Sequence, residues 1–290
     1  MTLFSRIRCR LASTAFAGPE KTSAFHRERL VSGTGVRLLV LLAVLFLSAR
    51  GSASSPSADE ILQHVLASDP WGLAGADVRA SAILTDKRGT RRTLSFTAAS
   101  KRYAPPLSMS IVRFSAPPDL AGTGFLQIQK ADGDDDRFLY LPALKRSRRI
   151  SGNLRANAFM GTDFSFADLD RRDLRDSQAT LRGLEKVAER DCYVIDVLPR
   201  REDSQYARLE LWVRTDYYLT VRMRMYDRAG VHVKTFEAQQ LKRVSGSWFV
   251  SQSLMTNHKT GHSTLLQLND IAVSTRLPDE DFSVRALERP

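Results

Sequence analysis

Residues Ala158–Asp170, AFMGTDFSFADLD, are the stretch on which the fold of this chain turns. Four large apolar side chains, Phe159, Met160, Phe164 and Phe166, crowd around a Gly161-Thr162-Asp163 turn. A segment so apolar beside a turn either plugs a core or faces something apolar that is not protein. What flanks it decides between the two.

On both sides the sequence runs with a period of two. Before it, Val78–Thr85 and Thr90–Ala98 enclose Asp86-Lys87-Arg88-Gly89, a hairpin signal. Leu94, Phe96 and Ala98 share a face, and Leu107, Met109 and Ile111 continue the alternation. Phe125–Gln129 and Phe138–Leu141 follow around the turn Asp132–Asp136. After it come Thr180–Glu189, Tyr193–Pro199, Ala207–Arg214, Thr220–Tyr226, Val231–Gln239, Trp248–Thr256 and Ser263–Ser274. Arg208, Glu210, Trp212 and Arg214 alternate with Leu209, Leu211 and Val213; Arg222 and Arg224 alternate with Val221, Met223 and Met225. One wet face and one apolar face describe an antiparallel sheet covered on one side. The expected fold is mainly β: about ten or eleven strands in meander order, curved into an open barrel.

Such a sheet needs cover, and few segments can supply it. Ser57-Ala58-Asp59-Glu60 has the Ser-x-x-Glu form of a capping box, and Ile61, Leu62, Val65 and Leu66 then fall on one helical face. That helix and the stretch around Ala158–Leu174 are the available covers. Charged outward positions argue against an outer-membrane barrel, which turns apolar residues to lipid.

The 290 residues carry 43 Lys and Arg against 32 Asp and Glu, a formal +11. This would suit a nucleic-acid binder, but residues 1–53 hold eight of those basic residues and two of the acidic ones. There, Arg27, Arg29 and Arg37 precede the uncharged run Leu38–Ala49, and Gly51-Ser52-Ala53 offers small residues at a cleavage site. The pattern is that of a secretory signal peptide, too short to span a bilayer as a helix. The expected organisation is a long leader, 1–53, cleaved near Ala53, followed by one domain, 54–290. Cys9 leaves with the leader and Cys192 remains alone, so no internal disulfide forms in the mature monomer.

Reactive chemistry is scarce. No nucleophile-elbow, dinucleotide or phosphate-loop pattern occurs. Counted as a calcium loop from Asp132, the run Asp132–Asp136 puts Arg137 at the glycine position and Ala143 at the bidentate glutamate, so it reads as a solvated hairpin tip. His258 and His262 flank a turn and make at most half a zinc site. Asp163, Asp168, Asp170, Asp173 and Asp176 could serve acid–base work, but interleaved Arg171, Arg172 and Arg175 make ion pairing and helix capping the simpler role. Cys192 reads as a small core residue. No catalytic residue, metal or cofactor is expected. The basic run Lys145, Arg146, Arg148 and Arg149 is either a solvated loop or a docking patch for anionic head groups or an acidic partner. Export and the lack of interleaved aromatics disfavour nucleic acid.

Tyr140-Leu141-Pro142-Ala143-Leu144, the Arg-rich run after it and Phe159–Leu169 resemble the signature of the periplasmic outer-membrane lipoprotein-sorting-like proteins, distant relatives of the lipoprotein carrier LolA. Tyr193–Val197, Leu211-Trp212-Val213, Phe236 and Trp248 fit as well, so the likeness spans the mature chain. The resemblance implies an incomplete antiparallel barrel closed by helices around a cavity for acyl chains. It also implies an inner-membrane transporter partner of the efflux and lipid-exporter superfamily, and carries over no catalytic residue. On it rests the expectation of a monomeric carrier of lipid or lipoprotein acyl chains. Phe159, Met160, Phe164, Phe166, Leu211, Met223 and Met225 would contact lipid, and Lys145, Arg146, Arg148 and Arg149 would meet its head group or a partner. The alternatives are an envelope-lipid hydrolase or transferase using the carboxylates after Gly161, and a structural envelope protein without ligand.

Overall fold

Alternating sequences of this kind can only pair edge to edge, and thirteen segments do so. The computed structural model describes residues 55–67, 75–104, 107–151, 154–169, 172–273 and 276–289. The leader and its cleavage site lie outside the described residues.

Helix α1 (Ala58–Ala67) opens the described chain. Its capping box forms as expected: the Ser57 N–H donates to Glu60 Oε2 at 2.7 Å, and the Glu60 N–H donates to Ser57 Oγ at 3.2 Å. Six strands follow: β1 (Ala76–Thr85), β2 (Arg91–Ala104), β3 (Leu107–Ala116), β4 (Gly124–Ile128), β5 (Asp136–Leu141) and β6 (Arg146–Arg149). After one short helix, α2 (Arg172–Arg175), come β7 (Ser177–Val187), β8 (Arg190–Pro199), β9 (Arg208–Arg214), β10 (Thr220–Tyr226), β11 (His232–Val244), β12 (Ser247–Asn257) and β13 (His262–Val273). A 3-10 turn, Asp279–Phe282, and helix α3 (Val284–Leu287) end it.

All thirteen strands belong to one antiparallel sheet, in the order β6-β5-β4-β3-β2-β1-β13-β12-β11-β10-β9-β8-β7. The chain runs inward from one edge to β1, and inward from the other edge to β13. The β1–β13 pairing, Ala76↔Val273 to Thr85↔Ser263, joins the two halves. The two free edges, β6 and β7, are therefore neighbours in sequence, and the segment from Ile150 to Asp176 passes between them. This is the curved open sheet expected, with two corrections. The described residues form thirteen strands rather than ten or eleven, and the basic run Arg146–Arg149, read as a loop, is itself the edge strand β6, paired with β5.

Both faces of the sheet carry cover. On the inner face of the β7–β12 half, Ile61, Leu62, Val65 and Leu66 of α1 pack with Ile195, Val197, Leu209, Leu211, Val213, Met225 and Phe236. On the outer face of the β3–β5 region, Ile111 and Leu126 meet Phe282 and Leu287 from the C-terminal turns. Each such side chain contributes about 1.5–3 kcal/mol by leaving water. The β-register also corrects the reading of β3. Ala98 pairs with Val112 and Ala99 with Ile111, so Leu107, Met109 and Ile111 lie on the outer face, opposite to Leu94, Phe96 and Ala98.

A further correction concerns Asp132–Asp136, read as a solvated tip. Asp135 is buried and accepts from the Lys130 N–H at 3.1 Å, from Gln127 Nε2 at 3.3 Å and from Arg175 at 3.1 Å, with Arg137 at 3.5 Å. Asp134 pairs with Arg172. The β4–β5 turn is thus tied to α2, which brings the strap between the free edges down onto the sheet.

Candidate functional site

The inner face of the first half is built from alternate residues of five strands. Val78 and Ala82 come from β1, Leu94, Phe96, Ala98 and Ser100 from β2, and Ser108, Ser110, Val112 and Phe114 from β3. Phe125 and Gln127 come from β4, with Gln129 just beyond it, and Thr264, Leu266 and Leu268 come from β13. They enclose a cavity of about 1030 Å³, open mouth included, roofed by Phe159, Thr162, Phe164 and Leu169. Among the described residues that line it, none is charged.

The roof is a tight hairpin. Ala158 and Ser165 form an antiparallel bridge, the Phe159 N–H donates to the Phe164 carbonyl at 2.7 Å and the Thr162 N–H donates to the Phe159 carbonyl at 2.9 Å. Its two central residues, Met160 and Gly161, have φ of +51° and +77°, as a type I′ turn requires. Thr162 and Asp163, expected in the turn itself, stand on its return arm instead. Asp163 anchors that arm to β13: its N–H donates to Thr264 Oγ1 at 2.9 Å, and the Thr264 hydroxyl donates to its Oδ2 at 2.8 Å. Burial pushes the Asp163 carboxyl above the usual range, while the Thr264 hydrogen bond pulls it back in part.

The four apolar side chains of the roof split three ways. Phe159 stands edge-on to Phe125 at 5.1 Å and to Phe166 at 5.4 Å, with Phe114 at 5.9 Å, and also borders the cavity. Phe166 completes that aromatic cluster, packed on Phe125 at 5.5 Å, and Met160 is half-buried against it. Phe164 faces the cavity on one side and the α1 core on the other.

Leu211, Met223 and Met225, expected to share that cavity, do not line it. They sit in the other half of the sheet, where α1 fills the concave face: Leu211 is fully buried, Met225 nearly so, and Met223 packs against them. The helix occupies the space that a ligand would need there. The open volume described above lies over the first half.

Of the carboxylates after Gly161, Asp170 lies outside the described residues, and Asp168 and Asp173, like Asp163, are held by protein. Asp168 accepts from the Ser165 N–H at 2.7 Å, from the Tyr206 hydroxyl at 2.7 Å and from Lys234 Nζ at 2.8 Å. Burial, then the Asp168 charge, pushes the Tyr206 phenol well above its usual range. Asp173 accepts from the Ser204 hydroxyl at 2.8 Å and stands 3.6 Å from Arg155. His258 stands beside another histidine, His232, rather than in a zinc pair that any further ligand among the described residues completes. It lies 4.4 Å from the His232 ring, and Thr235 Oγ1 bridges the two rings. Among the described residues no group of three or more His, Cys, Asp or Glu is arranged to hold a metal ion. Cys192 is buried with Val194, Trp212 and Val221 on the outer face.

A family model described only as an uncharacterized protein matches residues 107–289. An outer membrane lipoprotein-sorting protein domain from Vibrio parahaemolyticus is 30% identical, with 79% of this chain and 97% of that one covered and a TM-score of 0.74. The chain belongs to the outer-membrane lipoprotein-sorting-like family. A family DUF1329 protein from Desulfovibrio piger is similar at 27% identity, 80% and 100% coverage and a TM-score of 0.73. A LolA superfamily protein from Nitrosomonas europaea, 18% identical over 79% and 98% of the two chains with a TM-score of 0.63, shares the fold. The search of curated proteins finds no match.

In this lipoprotein-sorting-like chain the basic run has a definite place. Lys145 caps the 3-10 turn Pro142–Leu144 in a left-handed conformation (φ +48°), and Arg146, Arg148 and Arg149 stand exposed on β6. Arg146 and Arg148 oppose Leu141 and Leu139, whereas Arg149 pairs with Asp136. Positive charge along a free sheet edge discourages strands of other chains from adding to it.

Sequence reasoning missed the polar residues of the cavity, Ser100, Ser108, Ser110, Gln127 and Gln129. Alternation alone does not tell which of two interleaved sets faces inward, since a one-residue slip exchanges them.

Proposed function

We propose that this chain is a periplasmic carrier that holds acyl chains of lipids or lipoproteins during transport to or at the outer membrane. The observation that supports it most is the cavity itself: an open volume roofed by Phe159 and Phe164 and lined without a charged side chain. Within such a lining each methylene of an acyl chain contributes about 0.8 kcal/mol by leaving water. Membership of the lipoprotein-sorting-like family points the same way, as does the signal-peptide pattern of residues 1–53.

On this reading residues 1–53 are removed near Ala53 on export, and residues 54–290 work as one domain and as a monomer. Phe159 and Phe164 contact the chain directly, and Met160 and Phe166 support them. Lys145, Arg146, Arg148 and Arg149 meet an anionic head group or the donor, for which an inner-membrane transporter of the efflux and lipid-exporter superfamily is the natural partner. The protein is not an enzyme on this reading, because Asp163 and Asp168 already spend their oxygens on Thr264, Tyr206, Lys234 and the Ser165 N–H.

Solvent extraction and mass spectrometry of protein purified from the envelope tests the proposal. Acyl lipid should be recovered in near-stoichiometric amount. Protein free of lipid that also takes up no fluorescent acyl chain would sink the carrier reading.

A further inference from the structure

The cavity is not uniformly apolar. Along β3 its inward row runs Ser108, Ser110, Val112, Phe114, and along the β4 line it runs Phe125, Gln127, Gln129. Ser110 pairs with Ser100 on one side and with Gln127 on the other. The serines and glutamines therefore gather at one end, and the aromatic rings at the opposite one.

The hydrogen bonds fix how that polar end is presented. Gln127 Nε2 donates to the buried Asp135 carboxylate at 3.3 Å, so the Gln127 amide leaves its oxygen as an unused acceptor. Gln129 Oε1 accepts from the Ser108 N–H at 3.0 Å and from the Ser108 hydroxyl at 3.2 Å, so Gln129 leaves its Nε2 as an unused donor. The Ser110 hydroxyl, in the row between Ser108 and Val112, can give or take a proton. An acceptor, a donor and a two-way hydroxyl thus converge where no charged side chain lines the wall.

We propose that this end selects the polar group next to the acyl chain. It takes a neutral group that both donates and accepts, a hydroxyl or an amide, and disfavours a carboxylate. The inference rests on the carrier reading. A hydroxyl or amide satisfies the Gln127 oxygen and the Gln129 nitrogen together. A carboxylate, which only accepts, brings negative charge against the Gln127 oxygen and is buried with no cation in the lining, an expensive arrangement.

Competition for bound N-phenylnaphthylamine, a neutral fluorescent probe, tests this with monopalmitoylglycerol, palmitamide and palmitate on the wild-type chain. At neutral pH the first two should displace the probe at concentrations roughly tenfold or more below palmitate, a difference of about 1.4 kcal/mol. The two arms distinguish hydroxyl from amide as the source of the shared chemistry. Ser110→Ala, which breaks no hydrogen bond within the protein, should shrink that preference, read as the ratio of the palmitate concentration to the neutral-lipid concentration that displaces half of the probe. Probe binding with equal displacement by all three ligands overturns the head-group selection and leaves the carrier intact. So does a Ser110→Ala variant with the full preference. Failure to bind the probe or any of the three lipids overturns the carrier reading and this inference with it.

Discussion

Asp163 and Asp168 sit five residues apart and pose opposite problems. Burial raises the Asp163 pKa above the ordinary carboxylate value of about 3.9, so its charged form is the costly one. That cost is absent below the unfolded-state pKa. It grows as pH rises towards the folded-state pKa and is fully present above it. Asp163→Asn keeps an oxygen for the Thr264 hydroxyl, and so should raise the Tm at neutral pH and change little below the carboxylate range. Thermal scans across pH decide it, and a lower Tm at neutral pH would contradict the stated origin of the shift. Asp168 instead neutralises Lys234 in a pair with side chains 4% and 12% exposed. Asp168→Asn leaves that ammonium without its counter-charge and should cost about 3–5 kcal/mol in denaturant unfolding. A loss under 1 kcal/mol would mean that the pair is solvated in practice.

At the scale of elements, the strap from Ile150 to Asp176 is tied to the sheet not only through Asp163 and Asp168 but by two further attachments of different kinds. One is the ring cluster of Phe159, Phe166, Phe125 and Phe114; Phe166→Ala should cost about 3–5 kcal/mol there. The other is Asp135, gripped by Arg175 from α2 and by Arg137 from β5. Asp135→Ala removes the buried carboxylate that Arg137 and Arg175 share, and should rank beside the aromatic deletion in the same unfolding measurement. The attachments were legible to different degrees. The apolar half announces itself as four large side chains within eight residues. The ionic half did not, because a run of aspartates at a hairpin tip looks solvated until α2 brings Arg172 and Arg175 over it. Edge strand β6 hid for a related reason, since Arg-Ser-Arg-Arg has no apolar alternation to betray a strand. Its pairing comes from the neighbouring β5, and its charge from being an edge. Replacing Arg146 and Arg148 by Val should turn that edge into an association site, visible as concentration-dependent oligomers in light scattering.

Across the whole molecule, the meander and its one-sided covering followed from period-two alternation and short turns, and from a single capped helix in the N-terminal part. Which half of the concave face stays open did not follow. It depends on where α1 lands, a long-range packing choice that no local pattern encodes. The helix covers Leu211, Met223 and Met225, whereas an open volume lies over β1–β4 and β13, and so the two halves of a nearly continuous sheet are unequal. The carrier proposal stands on that inequality. Its most direct test is a single side chain added into the open half. Val112→Trp places a large ring between the serine row and the aromatic end of the cavity. Binding of N-phenylnaphthylamine should fall at least about tenfold, or 1.4 kcal/mol, while circular dichroism and cooperative unfolding show the fold retained. Undiminished binding in a folded Val112→Trp protein would contradict the assignment of this cavity as the acyl site.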